Sequence, residues 1–447
     1  MNATFLKSAI FAGAMVSITS GTVHASAFVL NTQSAKALGS ATAGAQASKA
    51  TPGNAYFNPA SIVGVKNIES SFSIIGVIAD TSYKDASGRL FGAVPVTGDT
   101  AGENVVDDAV FPSGAASVKL NDYLYAGLTA YAPVGFSTSY SDTSIIRYHG
   151  TLSKVVSGSI SPILGIDLGG GWSIAGGPRL QYLDIEIDGA IDAAGIESAL
   201  LMTATPPGAQ DVFFDLGGDD WALGYAVGLQ GDLTDRIHFG FSFTSKVDHR
   251  ARGQAQFDLD GSAAGQNLFA TVGLFQDTGF SMDLSTPAII QAGVVADVTP
   301  EIRLLASVVQ TRWDSLGELA AEFDNPAQPT EVTTQNWSNA WSGAVGAEFD
   351  LSQNDTIRFG VMLEEDPVNA NFSTARIPGA SRVYLAAGYS RDLSDKASLH
   401  LSASYINNND QQINHNPALP ENLFRGSLQA DGHFNILAVS VGLDWRF

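Results

Sequence analysis

The chain has 447 residues, 45 acidic against 23 basic, a net charge of −22 and no cysteine. This acidity argues against nucleic-acid binding. The lack of cysteine excludes disulfides, thiolate chemistry and Cys-based metal sites.

Lys7, the apolar run Ala9 to Ile18 and the small residues of Val23-His24-Ala25 predict a secretory signal over 1–25, with the mature chain starting at Ser26. No later apolar run is long enough for a spanning helix. Yet 45% of residues are hydrophobic and mean hydropathy is +0.09. A barrel reconciles the two, because only alternate residues of each strand face lipid.

Residues 26–66 are small, polar and non-alternating. They carry no charge run, and Phe28, Leu30, Tyr56 and Phe57 give them something to bury. They are expected to form a hatch plugging the lumen, with the barrel over 67–447.

From Ile68 onward alternating runs dominate. The expected total is fourteen strands. Leu223, Tyr225, Val227 and Leu229 share one phase. Ile237, Phe239, Phe241 and Phe243 do the same, as do Leu399, Leu401, Ala403 and Tyr405. Turn formers separate the runs at Asp232-Leu233-Thr234-Asp235, Asp297-Val298-Thr299-Pro300, Asp350-Leu351-Ser352-Gln353 and Asp392-Leu393-Ser394-Asp395. Short turns on one side and long loops on the other are the asymmetry of outer-membrane barrels. The last run, Leu437 to Phe447, alternates apolar residues and ends on an aromatic. It reads as the closing strand, with Phe447 as the contact for barrel assembly machinery.

Several local features carry further expectations. Pro133 and Gly135 interrupt an otherwise good strand and predict a bulge or gap in the wall. Leu180 and Tyr182 lie on one phase and Leu183, Ile185 and Ile187 on the other, so a bulge near Tyr182 is expected. Asp184, Glu186 and Asp188 are expected along one lumen wall. Glu364, Glu365 and Asp366, with Arg376 and Arg382, are expected to form lumen ion pairs. All six tryptophans fall near predicted strand ends, which suggests an aromatic girdle. The loop at 190–219, with Phe213 and Phe214, and the loop at 259–284, with Leu268, Phe269, Phe275 and Phe280, are rich in apolar side chains. Such content on a loop indicates a binding patch or a local mini-core. The histidines are scattered, so no metal site is expected, and no cofactor motif, GxSxG element or P-loop is present.

Six stretches in order give the chain its resemblance to a family. They are Ala27-Phe28 with Gly39, Gly53-Asn54 and Asn58-Pro59-Ala60; YAPVGFSTSY at 131–140; WALGYAVGLQ at 221–230; FGFSFTSKVDHRARG at 239–253; TRWDSL at 311–316; and EDPVNANFSTARIPGASRVYLAAGYS at 365–390. With these the chain resembles the FadL-type outer-membrane transporters of long-chain fatty acids and aromatic hydrocarbons. The resemblance implies a monomeric fourteen-strand barrel in a Gram-negative outer membrane, with Asn58, Pro59 and Ala60 as the hatch motif. It implies passive uptake of a hydrophobic molecule, long-chain fatty acids foremost and aromatic hydrocarbons as the alternative. Substrate would be captured outside, amid lipopolysaccharide, and held near the hatch. It would leave sideways at the third-strand interruption, Pro133 and Gly135. Phe28, Leu30, Phe213, Phe214, Leu268, Phe269, Phe275 and Phe280 are the expected substrate contacts. A general diffusion porin and an outer-membrane lipase are the rival readings.

Overall fold

The computed structural model describes residues 32–369, 372–408 and 411–447. The predicted signal and two expected substrate contacts, Phe28 and Leu30, lie outside the described residues. Fourteen antiparallel strands close into a barrel. In chain order they are β1 (Ile68–Leu90), β2 (Ala109–Lys119), β3 (Leu124–Tyr131 with Gly135–Ser139), β4 (Leu152–Gly169), β5 (Trp172–Asp192), β6 (Asp211–Thr234), β7 (Ile237–Thr244 with Val247–Asp258) and β8 (Thr278–Thr286 with Ala288–Thr299). They continue as β9 (Ile302–Arg312), β10 (Ala340–Asp350), β11 (Asp355–Glu364), β12 (Arg382–Ser394), β13 (Ala397–Asn408) and β14 (Ser427–Arg446). Each pairs with the next. β14 pairs with β1 from Trp445↔Ser70 to Ser427↔Arg89, which closes the ladder. Closure pairs the strand backbones with one another where lipid offers no hydrogen bond, save at one interruption in β3.

The side-chain faces exchange roles partway up the wall. In the lower barrel, apolar residues such as Ile174, Leu180, Leu223, Tyr225, Val227, Phe359 and Leu385 point outward and are exposed. Above the stacked Tyr182–Trp221 pair, at 5.0 Å, the outer face of β5 and β6 carries Asp184, Glu186, Asp188, Asp215 and Asp219, while Leu183, Ile185 and Leu216 are buried inside. The expected bulge near Tyr182 is therefore absent. Pairing runs without a shift from Leu180↔Leu223 through Tyr182↔Trp221 to Asp184↔Asp219. The surroundings change, not the strand: lipid ends at the girdle and an aqueous outer face begins. The same exchange puts Asp184, Glu186 and Asp188 on the outside, not along the lumen.

Residues 32–63 fill the lower lumen, and almost all are buried. They form one short helix, α1 (Ala35–Leu38), capped by Ser34, and three 3-10 turns at Ala45–Ala47, Pro52–Asn54 and Pro59–Ile62. Small residues let this segment meet the wall backbone to backbone. A Cβ on Gly388 would lie 2.7 Å from the Cα of Gly39, and one on Gly360 would strike the carbonyl of Ser40. No rotamer relieves an overlap with backbone.

Gly360→Val is expected to unseat this segment while leaving the wall paired. Planar-bilayer recording should show a higher conductance from a barrel that still shifts on heating in gel electrophoresis. Parental conductance from a folded variant would show that this approach does not seat the segment.

Candidate substrate path

The interior above the girdle is apolar. Val134, Phe136, Leu183, Ile185, Phe214, Leu216, Phe280, Met282, Leu284, Trp313 and Trp337 belong to one buried cluster. Trp313 and Trp337 meet edge to face at 5.0 Å, both inside the wall. Two of the six tryptophans are thus internal. Trp221, Trp341 and Trp445 are exposed on the outer surface.

A buried cation without a carboxylate partner sits at the base of this interior. Arg179 is 2% exposed on the inward phase of β5. Its Nη2 donates to the carbonyl of Ser245 at 3.0 Å, and its Nε has no hydrogen-bond partner. Among the described residues no carboxylate pairs with it. Nearby on the same face, the Nε2 of Gln181 is also buried and unpartnered. A buried guanidinium left unpaired is costly, and an anionic ligand is one way to offset it. Sequence reading missed Arg179. The available signal was a lone basic residue on an inward phase flanked by apolar ones. Of the other lumen cations, Arg382 reaches Glu364 at 3.1 Å, the one expected ion pair of that stretch that forms. Arg376 instead donates to the carbonyls of Leu152 and Asp188, both at 3.0 Å.

The floor of this interior is the segment containing Asn58-Pro59-Ala60, all three fully buried or nearly so. Asn58 joins that segment to the wall. Its Nδ2 donates to the carbonyls of Gln46 (2.7 Å) and Leu229 (3.0 Å), and its Oδ1 accepts from the N–H of Ala60 at 3.0 Å. Pro59 then starts the 3-10 turn, where a missing N–H costs nothing.

The wall itself is interrupted at Ala132-Pro133-Val134. Below, β3 pairs with β2 as far as Ala130↔Gly114. Above, Gly135 to Ser139 pair only with β4, so Ala109 to Ser113 of β2 face no strand on that side. The freed backbone finds substitutes. Val134 N–H donates to Ser157 Oγ (3.0 Å), and its carbonyl accepts from Ser157 N–H (2.9 Å). Gln33 spans the two edges: Ser113 Oγ donates to its carbonyl, and its Nε2 donates to the carbonyl of Ala132 at 2.5 Å. Tyr56 packs on Tyr131 beside it, centroids 4.9 Å apart. Neither Gln33 nor Tyr56 carries a sequence motif that announces this position.

Outside, strands rather than irregular loops extend into solvent. They carry two helices, α2 (Ala193–Leu201) and α3 (Ala263–Val272), capped by Asp192 and Ser262. Leu268 and Phe275 are buried between them. Phe214 and Phe280 point into the apolar interior, and Phe213 packs against a neighbouring cluster under the loops. Of the expected capture residues only Phe269 is open, at 44%. Leu200, Met202 and Val272 are exposed with it.

On the opposite side of the floor is a polar chamber of about 570 Å³. A row of bonds runs along its wall: Ser71–Asp444, Asp444–His400 (3.0 Å), His400–Ser390 (2.5 Å), Ser390–Arg358, Arg358–Glu348 (2.5 Å) and Glu348–Arg303 (2.8 Å). Ser390, His400 and Asp444 stand in the order of a hydrolase triad. Arg358 and His400 both engage the Ser390 hydroxyl, however, so that oxygen is already committed, and the row continues through charges of alternating sign.

An apolar interior, a packed floor and an interrupted wall within a closed, lipid-facing ladder define an outer-membrane transport barrel. A family described as outer membrane protein transport protein (OMPP1/FadL/TodX) matches residues 16–447. The chain belongs to that family. It is 25% identical over 408 residues to a putative outer membrane protein of Neisseria meningitidis, covering 87% of each chain. It is 24% identical over 427 residues to a long-chain fatty acid transport protein of Escherichia coli, covering 90% of this chain and 91% of that one. Among solved structures, a Pseudomonas aeruginosa FadL homologue superposes with a TM-score of 0.87 at 19% identity, covering 95% of this chain and all of the other. The Pseudomonas putida toluene transporter TodX gives 0.67 at 12% identity, covering 92% and 97%.

The outer cap contains a buried pair of histidines. His149 and His415 stack 3.9 Å apart on separate loops. His415 Nε2 accepts from the N–H of Ala375 at 2.8 Å, which only an unprotonated nitrogen can do. Burial, with Arg425 and Arg376 nearby, pushes the His415 imidazole down to about 3 and holds His149 well below its usual value. Both rings are neutral when folded and would protonate near pH 6.5 when free. Their contribution to the cap is therefore complete above pH 6.5 and declines as pH falls below it, by about 1.4 kcal/mol per unit and per ring. Hydrogen-exchange protection relative to the intrinsic rate should be lower over 139–152 and 411–427 at pH 5 than at pH 7, with that of the lower strands unchanged. Equal protection at both values would contradict this.

Proposed function

We propose that this barrel takes up long-chain fatty acids, with the carboxylate held at Arg179 and the tail in the apolar interior. The observation that carries this reading is the buried, unpaired guanidinium. A fatty acid supplies both the missing charge and the apolar chain. An aromatic hydrocarbon would fill the interior and leave Arg179 unpaired. Each methylene transferred from water contributes roughly 0.8 kcal/mol, so a long tail gains far more than the charge alone.

The remaining steps follow from placement. The apolar tips of α2 and α3, with Phe269, Leu200 and Met202, capture substrate at the lipopolysaccharide level. Residues 26–66 act as the hatch, which supports uptake of a held ligand over free diffusion as in a porin. The exit is the wall gap at Pro133 and Gly135, with Gln33 strapped across it. A sideways path into the bilayer never returns the tail to water. The chain works as a monomer, since one barrel contains the whole path. Phe447 presents the closing strand to the assembly machinery.

Arg179→Leu is expected to weaken oleate binding by roughly 10- to 100-fold, the worth of a charge-assisted hydrogen bond, and to leave toluene binding unchanged. Titration of purified parent and variant with both ligands checks this. A parent that binds toluene but not oleate would favour the hydrocarbon reading.

Restoring the ladder with Pro133→Val and Gly135→Thr is expected to slow transport into vesicles while oleate still binds. Parental transport by the folded double variant would place the exit elsewhere.

A further inference from the structure

The turns at the lower end of the barrel share a feature that transport does not require. Fourteen strands give seven lower corners: six tight turns and the junction of the two end strands. Each tight turn carries one large aliphatic residue: Leu120, Leu168, Leu233, Val298, Leu351 and Leu393. Their exposures run from 48 to 62%. At the seventh corner Phe447 is 44% exposed and packs beside Trp445, centroids 6.4 Å apart.

Turn geometry does not ask for these side chains. Asn121, Thr234, Thr299, Ser352 and Ser394, each directly after the aliphatic residue, accept backbone N–H groups within the turn. In the remaining turn Asp167 does so. Polar turn formers thus fix the backbone, and an aqueous turn would be polar throughout.

The strand phase explains the pattern. Residues that precede the aliphatic one point inward: Asp297, Asp350 and Asp392 line the polar chamber, and Asp232 pairs with Lys49 at 2.6 Å. The aliphatic residues fall on the opposite phase, the one occupied by the lipid-facing side chains above them. Leu168 continues Leu164 and Ile166, Leu233 continues Tyr225 and Val227, Leu351 continues Val345, and Leu393 continues Leu385. The recurring Asp-Leu or Asp-Val pair is a residue for water inside followed by a residue for a different medium outside.

We infer that this ring of seven side chains is seated in the acyl chains of the periplasmic leaflet, so that the lower turns are membrane contacts. The partner is phospholipid. The ring continues the outer-wall belt, interrupted at one place by the Arg391–Asp355 pair, and goes all the way round the barrel, as a bilayer does and a docked protein does not. Its effect is to fix the depth of the barrel, and with it the height of the interrupted wall relative to the hydrocarbon.

The absence of cysteine makes the test direct. Leu233→Cys, Leu351→Cys and Leu393→Cys, each labelled with a nitroxide, are made in the full chain and reconstituted in phosphatidylethanolamine–phosphatidylglycerol vesicles. Val345→Cys provides a lipid reference and Asn354→Cys an aqueous one. All these side chains point away from the packed interior, and three test positions guard against the loss of any one variant. Collisions with oxygen should exceed those with a water-soluble nickel chelate at the three positions, as at Val345→Cys. Dominant nickel collisions, as at Asn354→Cys, would overturn the inference and leave the ring open to a soluble partner.

Discussion

A strand in hydrocarbon has no water to satisfy its backbone, and the whole molecule is arranged around that constraint. Fourteen strands close on themselves, and the last ladder, β14 with β1, is regular from Glu69↔Arg446 to Lys84↔Asp431 and resumes at Ser87↔Gln429 after a bulge. The same constraint makes the break at Ala132-Pro133-Val134 informative. Pro133 brings no N–H to be orphaned, Ser157 replaces the lost strand partner of Val134, and Gln33 bridges the exposed edges of β2 and β3. The interruption is thus satisfied locally, by side chains in place of a strand partner.

Charge and packing both join the lumen segment to the wall. Residues 32–66 contain Lys36, Lys49 and Lys66 and no acid, and the chamber beneath them is lined by Asp297, Glu348, Asp350, Asp392 and Asp444. Lys49 reaches Asp232 at 2.6 Å, and His238 stands between Asp232 and Asp297. Lys36 and Lys49 stand among these carboxylates, with Arg303, Arg358 and Arg446 lining the same chamber. The small side chains of the segment meanwhile admit close backbone contact. The segment is held by polar contacts together with apolar packing, in which Ile62, Val63 and Val65 meet Tyr125, Ile163 and Ala175 of the wall.

Strand number, closure and the short-turn side were legible because period-two alternation follows directly from a wall between two media. What the alternation could not show was where the media change. Leu183, Ile185 and Ile187 looked like a slipped strand because lipid was assumed outside along its full length. The burial of Leu183 and Ile185, with Asp184 and Glu186 on the outer phase, records the end of the bilayer. Loop aromatics were legible as apolar content but not as individual roles. Phe214 and Phe280 line the interior, Leu268 and Phe275 hold two helices together, and Phe269 is open. Pro133 announced the interruption through its chemistry. Arg179 and Gln33 had no such signature, since their meaning lies in what stands across the lumen from them.

The proposed resting place of a fatty acid is the apolar interior above the lumen segment, charge down at Arg179. A crystal structure of the full chain soaked with oleate brominated along its tail locates the ligand by anomalous scattering. The predicted result is a carboxylate at Arg179 with bromine between Leu183, Phe214 and Phe280. Bromine confined to the tips of α2 and α3 or to the outer wall, with Arg179 unoccupied, would contradict it.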